Sequence, residues 1–379
     1  MKLRWTWHST RLMLGLLLVV IVVGTALFCE FKPVKSVELA NSMAHIAGCV
    51  DCHSAQTQDF LSTPHAQTLR RADQPSEWNR FIKHAVQIGD PKVEFRYWIE
   101  RGRLWGSSEN GNSPSAVDWI FGSGHHGQTA VTLRTNNNGE SVAVEHHVTW
   151  YVNHGLDRTI GRPMDLGRDS HDIGEQNDPE TTRRCFGCHA TGLSEGAHRI
   201  DQQSFSPGIF CARCHTGADQ HENDMRSEQA ATKFDHWRSL TPLQSVSRCG
   251  KCHRLPTDLA PSELTPKNNN LPRFAAVGLI MSKCFQLQHT QPTATTRLDC
   301  VTCHDPHRPT ETEPNHYNRS CRECHNGNPA SWLTCREQSL NTNCISCHMP
   351  KQTSDSPTLF TDHWIRVRKE RERNNFPKF

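Results

Sequence analysis

Seven copies of one five-residue pattern, C-x-x-C-H, place two cysteines and a histidine at fixed spacing. The two thiols can add across the vinyl groups of a haem, and the adjacent imidazole then lies under the iron as its proximal ligand. In chain order, motifs 1 to 7 are Cys49/Cys52/His53, Cys185/Cys188/His189, Cys211/Cys214/His215, Cys249/Cys252/His253, Cys300/Cys303/His304, Cys321/Cys324/His325 and Cys344/Cys347/His348. The pattern predicts seven covalently bound haem c groups, each with one axial ligand supplied by its own motif.

Zinc binding and disulfide formation are two other possible roles for the cysteines. Zinc also binds C-x-x-C pairs, but a zinc site does not require histidine directly after the second cysteine in every copy. Disulfides persist in exported proteins, yet the strict repetition argues against them for the fourteen motif cysteines. Cys284 and Cys335 are left over in the exported part, and a disulfide between them or two free thiols are both open. Ligation of a haem iron by the Cys284 thiolate is a further alternative.

Distal ligands must come from elsewhere in the chain, because a residue close to the proximal histidine lies on the wrong face of its own haem. Seven of the 24 histidines belong to motifs, so seventeen remain, an excess that predicts mainly bis-His haems of low potential. By this argument, if His307, three residues after His304, ligates an iron, that iron must belong to a neighbouring haem. The distal candidates are His65, His221, His289, His307, His316 and His363, and His125, His126, His154, His171 and His236 compete for the seventh position.

The composition agrees with a chain built around cofactors. Hydrophobic residues make up 35% of the sequence, against about 45–50% in ordinary globular domains. Haem macrocycles can fill the interior that aliphatic side chains would otherwise occupy. The net charge of +3 is too small to indicate nucleic-acid binding, so no nucleic-acid partner is expected.

The N-terminus carries a basic segment and then a long apolar run. Lys2, Arg4 and Arg11 lie in residues 1–11, and residues 12–28 contain no charge. The run just reaches the length of a spanning helix, which favours an uncleaved transmembrane signal anchor at residues 12–29 over a cleaved signal peptide. The basic residues place the N-terminus in the cytoplasm. We therefore expect a single-pass protein of the inner (cytoplasmic) membrane with its haem domain in the periplasm or another extracytoplasmic space.

The remaining chain is predicted to form one heptahaem cytochrome c domain over residues 30–365, followed by a charged tail at 366–379. Residues 76–101 have the spacing of one or two short amphipathic helices, and β-branched runs around the NNNGE turn predict a small β-hairpin insert at about 117–152. Beyond residue 185 periodicity is weak and loops are frequent. The predicted fold class is mainly α with much irregular structure, organised around stacked haems.

The chain resembles the multihaem cytochromes c of the cytochrome c-554, pentahaem nitrite reductase and hydroxylamine oxidoreductase type. The resemblance covers most of residues 45–365 and is carried by STPHAQ, IFGSGHHGQ, RRCFGCHATG, PGIFCARCHTGADQHE, CVTCHDPH, CISCHMP and TDHWI. It implies bis-His haems in stacked pairs, with distal ligands at positions like His65, His221, His307 and His363. No motif replaces its histidine by lysine, and Tyr97, Tyr151 and Tyr317 offer no counterpart of a haem-crosslinked tyrosine. Electron carriage is thus the property that the resemblance implies, rather than catalysis.

Two functions follow from these observations. The first is an anchored cytochrome that passes electrons between redox partner proteins, such as a quinol-oxidising membrane complex, with its N-terminal helix in the membrane. The alternative is a haem-dependent oxidoreductase of small nitrogen or sulfur compounds, in which one iron lacks a protein distal ligand. The sequence identifies neither the donor and acceptor nor the haem that each distal histidine serves.

Overall fold

The structure is a computed structural model that describes most of the chain after residue 45. The described residues are 46–83, 85–109, 111, 113–166, 172–194, 196, 198–227, 236–290, 297–325 and 343–368. The predicted basic segment 1–11 and anchor 12–29 lie outside them, as do His171, Cys335 and residues 369–379 of the predicted tail.

Strands occupy much of the chain between residues 69 and 176, where apolar and polar side chains alternate. Val93, Phe95 and Tyr97 of one strand are buried, whereas Arg96 between them is exposed. The strands are β1 (Leu69–Arg71), β2 (Val86–Ile88), β3 (Val93–Glu100), β4 (Arg103–Ser108), β5 (Ser115–Ala116), β6 (Trp119–Phe121), β7 (Gly127–Thr135), β8 (Ser141–Tyr151), β9 (Gly155–Arg158) and β10 (Gly174–Gln176).

Two antiparallel sheets are built from these strands. The larger has the order β1-β6-β7-β8-β10, with β9 also paired to β8, and the smaller has the order β2-β3-β4-β5. At the NNNGE turn, β7 and β8 form a hairpin in which Thr135 lies opposite Ser141. The Asn136 side chain accepts hydrogen bonds from the backbone N–H groups of Asn138 and Glu140, and Gly139 takes a positive φ of 79°. Asparagine and glycine supply the turn chemistry that this reversal needs.

The predicted mainly α fold class is therefore wrong. The described residues contain fourteen strands in four sheets together with short helices, and the two larger sheets extend well beyond the expected hairpin insert. Among the described residues of 76–101, which were predicted as helical, the only helix is the end of Pro75–Trp78, and the chain then enters β2 and β3. The alternation of buried and exposed residues in β3 has the period of a strand, and it outweighs the helix-like spacing of the apolar residues before it.

The helices of the described residues are short, and most carry or flank a motif. They are α1 (Ala47–Cys52), α2 (Ser54–Leu61), α3 (Pro75–Trp78), α4 (Pro179–His189), α5 (Cys211–Cys214), α6 (Ala218–Arg226), α7 (Pro242–His253), α8 (Ala275–Met281), α9 (Lys283–Thr290), α10 (Cys300–Cys303), α11 (Pro314–Cys324) and α12 (Cys344–His348). Two-stranded sheets pair Ala190–Thr191 (β11) with Ser206–Pro207 (β12), and Lys351–Ser354 (β13) with Ser356–Thr361 (β14).

Aromatic packing joins the larger sheet to the helix that carries motif 2. Phe186, inside that motif, is fully buried against Trp119 and Phe121 of β6, with ring centres 5.7 and 5.1 Å apart. Phe205 completes the cluster, with its ring centre 5.5 Å from that of Trp119. Burial of large aromatic rings stabilises by about 1.5–3 kcal/mol for each side chain. The sheet thus serves as a rigid base for the first of the six clustered motifs.

The expected location as a single-pass membrane protein is also corrected. No helix among the described residues is long and apolar enough to cross a membrane.

His146 of β8 gives the fold a predictable response to acid. It is fully buried between Tyr97 Oη at 3.1 Å and Thr132 Oγ1 at 3.0 Å, and this burial lowers its pKa from 6.5 to about 3. Because the unfolded chain binds this proton below pH 6.5 and the folded chain does not, stability is retained above that pH and falls on acidification. Between pH 6.5 and 4.5, we expect the unfolding free energy of the wild-type protein to fall by about 2 kcal/mol more than that of His146→Gln. Denaturant titrations followed by far-ultraviolet circular dichroism measure this, and equal losses in both proteins would contradict it.

Candidate haem-binding site

Each motif lies on one turn of helix. In motifs 1, 3, 5 and 6 the backbone N–H of the histidine donates a hydrogen bond to the carbonyl of the first cysteine, at 2.7, 2.8, 3.0 and 2.9 Å. In motifs 2, 4 and 7 the histidine is itself the last residue of α4, α7 or α12. Residues four apart in a helix share a face. The first thiol and the imidazole of each motif can therefore meet one ligand from the same side.

None of the 21 motif cysteines and histidines is fully buried by protein atoms. Every motif cysteine and histidine is either half-buried or exposed, in contrast to the buried aromatic residues beside motif 2. Covalent attachment requires thiols that a haem can reach, and this accessibility meets that requirement.

Three motif histidines each face a histidine from another part of the chain. The ring centres of His65 and His253 are 6.0 Å apart, those of His215 and His307 are 5.9 Å apart, and those of His304 and His363 are 6.2 Å apart. With metal–nitrogen bonds of about 2.0–2.1 Å, two imidazoles on opposite sides of one metal ion have ring centres about 6 Å apart.

The angle between the two rings differs from pair to pair, from 10° in one to 84° in another. Rotation of either imidazole about the common nitrogen–metal axis leaves this separation unchanged, so all of these angles are compatible with ligation. The three separations fit axial ligation of one iron by each pair.

The proximal candidates His53 of motif 1 and His325 of motif 6 are placed differently. Both are exposed, and each comes directly after the helix that carries its motif, α1 or α11. Among the described residues neither ring faces a second histidine ring, so the expected bis-His partner is not found there for motifs 1 and 6. His53 lies near His215, and its charge contributes to the lowered pKa of that imidazole. Proximal ligation by His53 and by His325 stays a prediction, supported by the helical turn of each motif alone.

Motifs 2 and 7 also present their histidines without a second histidine ring from the described part of the chain. The ring centre of His189 lies 4.9 Å from that of Phe121, and His348 is half-buried at the end of α12. Ring-centre separations are compatible with distal ligation at motifs 3, 4 and 5, and the distal ligand of every motif stays a prediction.

Hydrogen bonds at Nδ1 orient several of these rings. Nδ1 of His189 lies 2.8 Å from Thr68 Oγ1 and 3.1 Å from the Thr68 carbonyl. Nδ1 of His348 lies 3.1 Å from the Arg366 carbonyl, and Nδ1 of His363 lies 2.9 Å from the Thr361 carbonyl. Donation from Nδ1–H to a carbonyl leaves the lone pair on Nε2, the arrangement that metal-ligating histidines favour.

Asp305 plays the corresponding part for His307. Its carboxylate Oδ1 lies 3.3 Å from Nδ1 of His307, and it also accepts the His307 backbone N–H at 2.9 Å. A carboxylate on Nδ1 fixes the tautomer and raises the basicity of Nε2. The CHDPH phrase thus supplies both the second histidine of a pair and the group that orients it.

Burial favours the neutral imidazole at the paired positions. Desolvation is the largest cause that lowers the pKa of His65, of His215 and of His363, and it lowers that of His304 to about 4. A neutral imidazole is the form that binds a metal, because protonation removes its lone pair. The geometry, the hydrogen bonds and the protonation state of these residues all fit haem c.

The other predicted distal residues have different surroundings. His221 lies on α6 and His289 on α9, and His316 on α11 has Nδ1 3.2 Å from Arg319 Nη2. Distal ligation by these three residues stays a prediction.

The competing histidines also fall into different settings. Nδ1 of His126 lies 3.3 Å from Thr358 Oγ1, and His154 Nε2 lies 2.8 Å from Asp157. His125 is exposed and His236 precedes a short 3-10 turn. Sequence reasoning missed Thr68 and the carbonyls of Thr361 and Arg366, because a backbone acceptor leaves no signal in residue type.

The motifs touch one another through their thiols, and their spatial order differs from their chain order. Thiols of different motifs lie close together and link motif 1 to motif 3, motif 2 to motif 4, motif 4 to motif 5, and motif 6 to motif 7. The pairs are Cys49 with Cys211, Cys188 with Cys252, Cys249 with Cys300, and Cys321 with Cys344. Ser320 Oγ donates to the Thr302 carbonyl at 3.1 Å and joins motif 6 to motif 5. The Cys214 thiol of motif 3 also lies near Cys249 and Cys252 of motif 4, so the attachment sites form a contiguous cluster.

Cys347, the second cysteine of motif 7, contacts a residue of its own motif. Its half-buried thiol accepts a weak hydrogen bond from the hydroxyl of Ser346, the residue before it, at 3.9 Å. Cys344, the first cysteine of the same motif, makes the thiol contact to motif 6. Attachment of a haem vinyl group at Cys347 stays a prediction from the repeat.

The remaining cysteine among the described residues, Cys284, forms no disulfide with any of them, and burial raises the pKa of its thiol. Across the described part of the chain, no group of three or more His, Cys, Asp or Glu side chains is arranged to hold a free metal ion.

Residues 163–216 match the family described as cytochrome c554 and c-prime. The matched segment contains motifs 2 and 3 and the whole loop between them. No curated protein and no solved structure matches the chain at a significant level. The family match supports a c-type cytochrome that binds haem c covalently and takes part in electron transfer.

Proposed function

We propose that this chain is a heptahaem electron-transfer protein, with mainly bis-His irons, that exchanges electrons with other redox proteins. The observation that carries the proposal is the set of three histidine pairs 5.9–6.2 Å apart, each joining a motif histidine to a histidine predicted as distal. Haem c supplies a reversible ferric/ferrous couple when it is bound. The chain's part is to close both axial positions and to keep the couple at low potential.

The contiguity of the motifs supports transfer from one site to the next. Thiol contacts and the Ser320 hydrogen bond link neighbouring motifs without interruption from motif 4 through motifs 5 and 6 to motif 7. Motifs 1 and 3 join this line through Cys214, whose thiol lies near those of Cys249 and Cys252. Attachment sites in contact keep their haems within the short distances that rapid electron hopping requires.

Electron paramagnetic resonance of the oxidised protein, with a pyridine haemochrome count, tests the proposal. We expect seven haems for each chain and ferric signals that are essentially all low spin, because two imidazoles hold the iron low spin. Attachment of fewer than five haems, or the absence of reversible reduction, would contradict electron transfer through this chain. A high-spin fraction near one seventh that responds to nitrite, hydroxylamine or thiosulfate would instead favour the catalytic alternative.

A further inference from the structure

Arg213 is the middle residue of motif 3, but its side chain reaches two other motifs. Its Nη2 donates to the carbonyl of Gly187, inside motif 2, at 2.7 Å. Its guanidinium also lies near the thiol of Cys252 in motif 4. One side chain therefore lies against three C-x-x-C-H motifs. We call the region where motifs 2, 3 and 4 meet the junction.

Other contacts draw the same three motifs together. The Cys188 thiol of motif 2 meets the Cys252 thiol of motif 4 and lies 3.8 Å from the Lys251 carbonyl. The Cys214 thiol of motif 3 lies near Cys252 as well. Motif 4 also contacts motif 5 through Cys249 and Cys300. At the junction, motif 2 is therefore linked to the series of neighbouring motifs 4, 5, 6 and 7.

The Arg213 guanidinium places a positive charge at this junction. Its positive charge acts on the thiols of Cys188, Cys214 and Cys252, one from each motif. Positive charge from Arg248 also acts on Cys214, and positive charge from Lys251 acts on Cys252. No carboxylate of the described residues forms an ion pair with Arg213, whereas Arg226 beside motif 1 is paired with both Asp51 and Glu222.

We propose that Arg213 holds motifs 2, 3 and 4 together and that the haems attached at this junction accept the first electrons. This inference rests on the proposed electron-transfer function. Reduction of a ferric iron by one electron from an external donor removes one positive charge from that site. A nearby uncompensated cation favours the less positive, reduced state and so raises the reduction potential. The haems of the junction are therefore the first to be reduced, and those nearer motifs 1 and 7 follow.

Potentiometric titration of the full-length haem-loaded protein, followed at the haem absorption bands, tests this role. In Arg213→Gln we expect the highest-potential components, at most about three sevenths of the absorbance change, to move to lower potential. The lowest-potential components should keep their midpoints. Arg213→Lys retains the charge and should titrate like wild type. Arg103→Gln is the matched control, because it removes the same charge from a residue that pairs with Asp118 in the β-sheet region.

The outcomes separate this inference from the proposed function. Superimposable curves for Arg213→Gln and wild type, or a shift as large in Arg103→Gln, would overturn the role of Arg213. If Arg213→Gln attaches fewer haems, Arg213→Lys decides, since a lowered first component there would show that charge is not the cause. Failure of the wild-type protein to undergo reversible reduction would overturn the proposed function itself before any variant is compared.

Discussion

Replacement of His65 by alanine is expected to convert one of the seven irons from low spin to high spin. The His65 ring centre lies 6.0 Å from that of His253, the proximal histidine of motif 4. The position of His65 is fixed by its carbonyl, which accepts the Ile209 N–H at 3.0 Å and the Thr68 N–H at 3.3 Å. Loss of the imidazole leaves the motif 4 iron with a single protein ligand, because alanine offers no donor. The high-spin ferric signal should rise to about one seventh of the total iron, and the reduced protein should gain one site that binds carbon monoxide.

His198→Ala serves as the matched control for this variant, because His198 is not among the predicted ligands. His198 is exposed, and its Nδ1 lies 3.3 Å from Oε1 of Glu140. The control should keep seven low-spin irons and bind no carbon monoxide. His307→Ala and His363→Ala should each repeat the His65 result at motifs 3 and 5, and a double variant should open two irons. If His65→Ala remained wholly low spin, His65 would not be the distal ligand of motif 4.

Sequence alone could identify the attachment chemistry but not the partners of each iron. The C-x-x-C-H motif lies within five consecutive residues, so it can be recognised without knowledge of the fold. The pairing of His65 with His253 joins residues 188 positions apart, and only tertiary structure brings them together. The surplus of histidines was also an imperfect signal. His146 and His147 count towards it, yet both are buried in β8, where Tyr97 and Thr132 satisfy His146.

The β-rich fold was missed for a related reason. Short strands such as β5, β6 and β10 contain only two or three residues, too few for an alternating pattern to be distinguished from chance. The long hairpin of β7 and β8 was recognisable because its turn residues and its β-branched runs agree. The segments that contain the C-x-x-C-H motifs have weak hydrophobic periodicity. Their helices are held by the motif turns and by tertiary contacts rather than by an amphipathic stripe.

A second large effect is expected at Gly208, where the chain passes between motif 2 and the turn that carries His65. Gly208 has a φ of +107°, its N–H donates to the His189 carbonyl at 3.0 Å, and its carbonyl accepts from Thr191 Oγ1 at 2.9 Å. A Cβ at this position would lie 2.4 Å from the carbonyl oxygen of Ala66, directly after His65. Backbone cannot move aside as a flexible side chain can, so the His65 turn must shift away from motif 4.

We expect Gly208→Ala to destabilise the fold by about 1–3 kcal/mol and to raise the high-spin fraction towards the value for His65→Ala. Gly155→Ala separates the two effects, because Gly155 has a similar φ of +95° but its Cβ would meet no atom within 4 Å. That control should lose stability through backbone strain alone and keep every iron low spin. Thermal unfolding and electron paramagnetic resonance of both variants measure this. A Gly208→Ala protein with an unchanged spin state would mean that the 207–210 segment does not position His65, and that the distal ligand is held by the 65–68 turn alone.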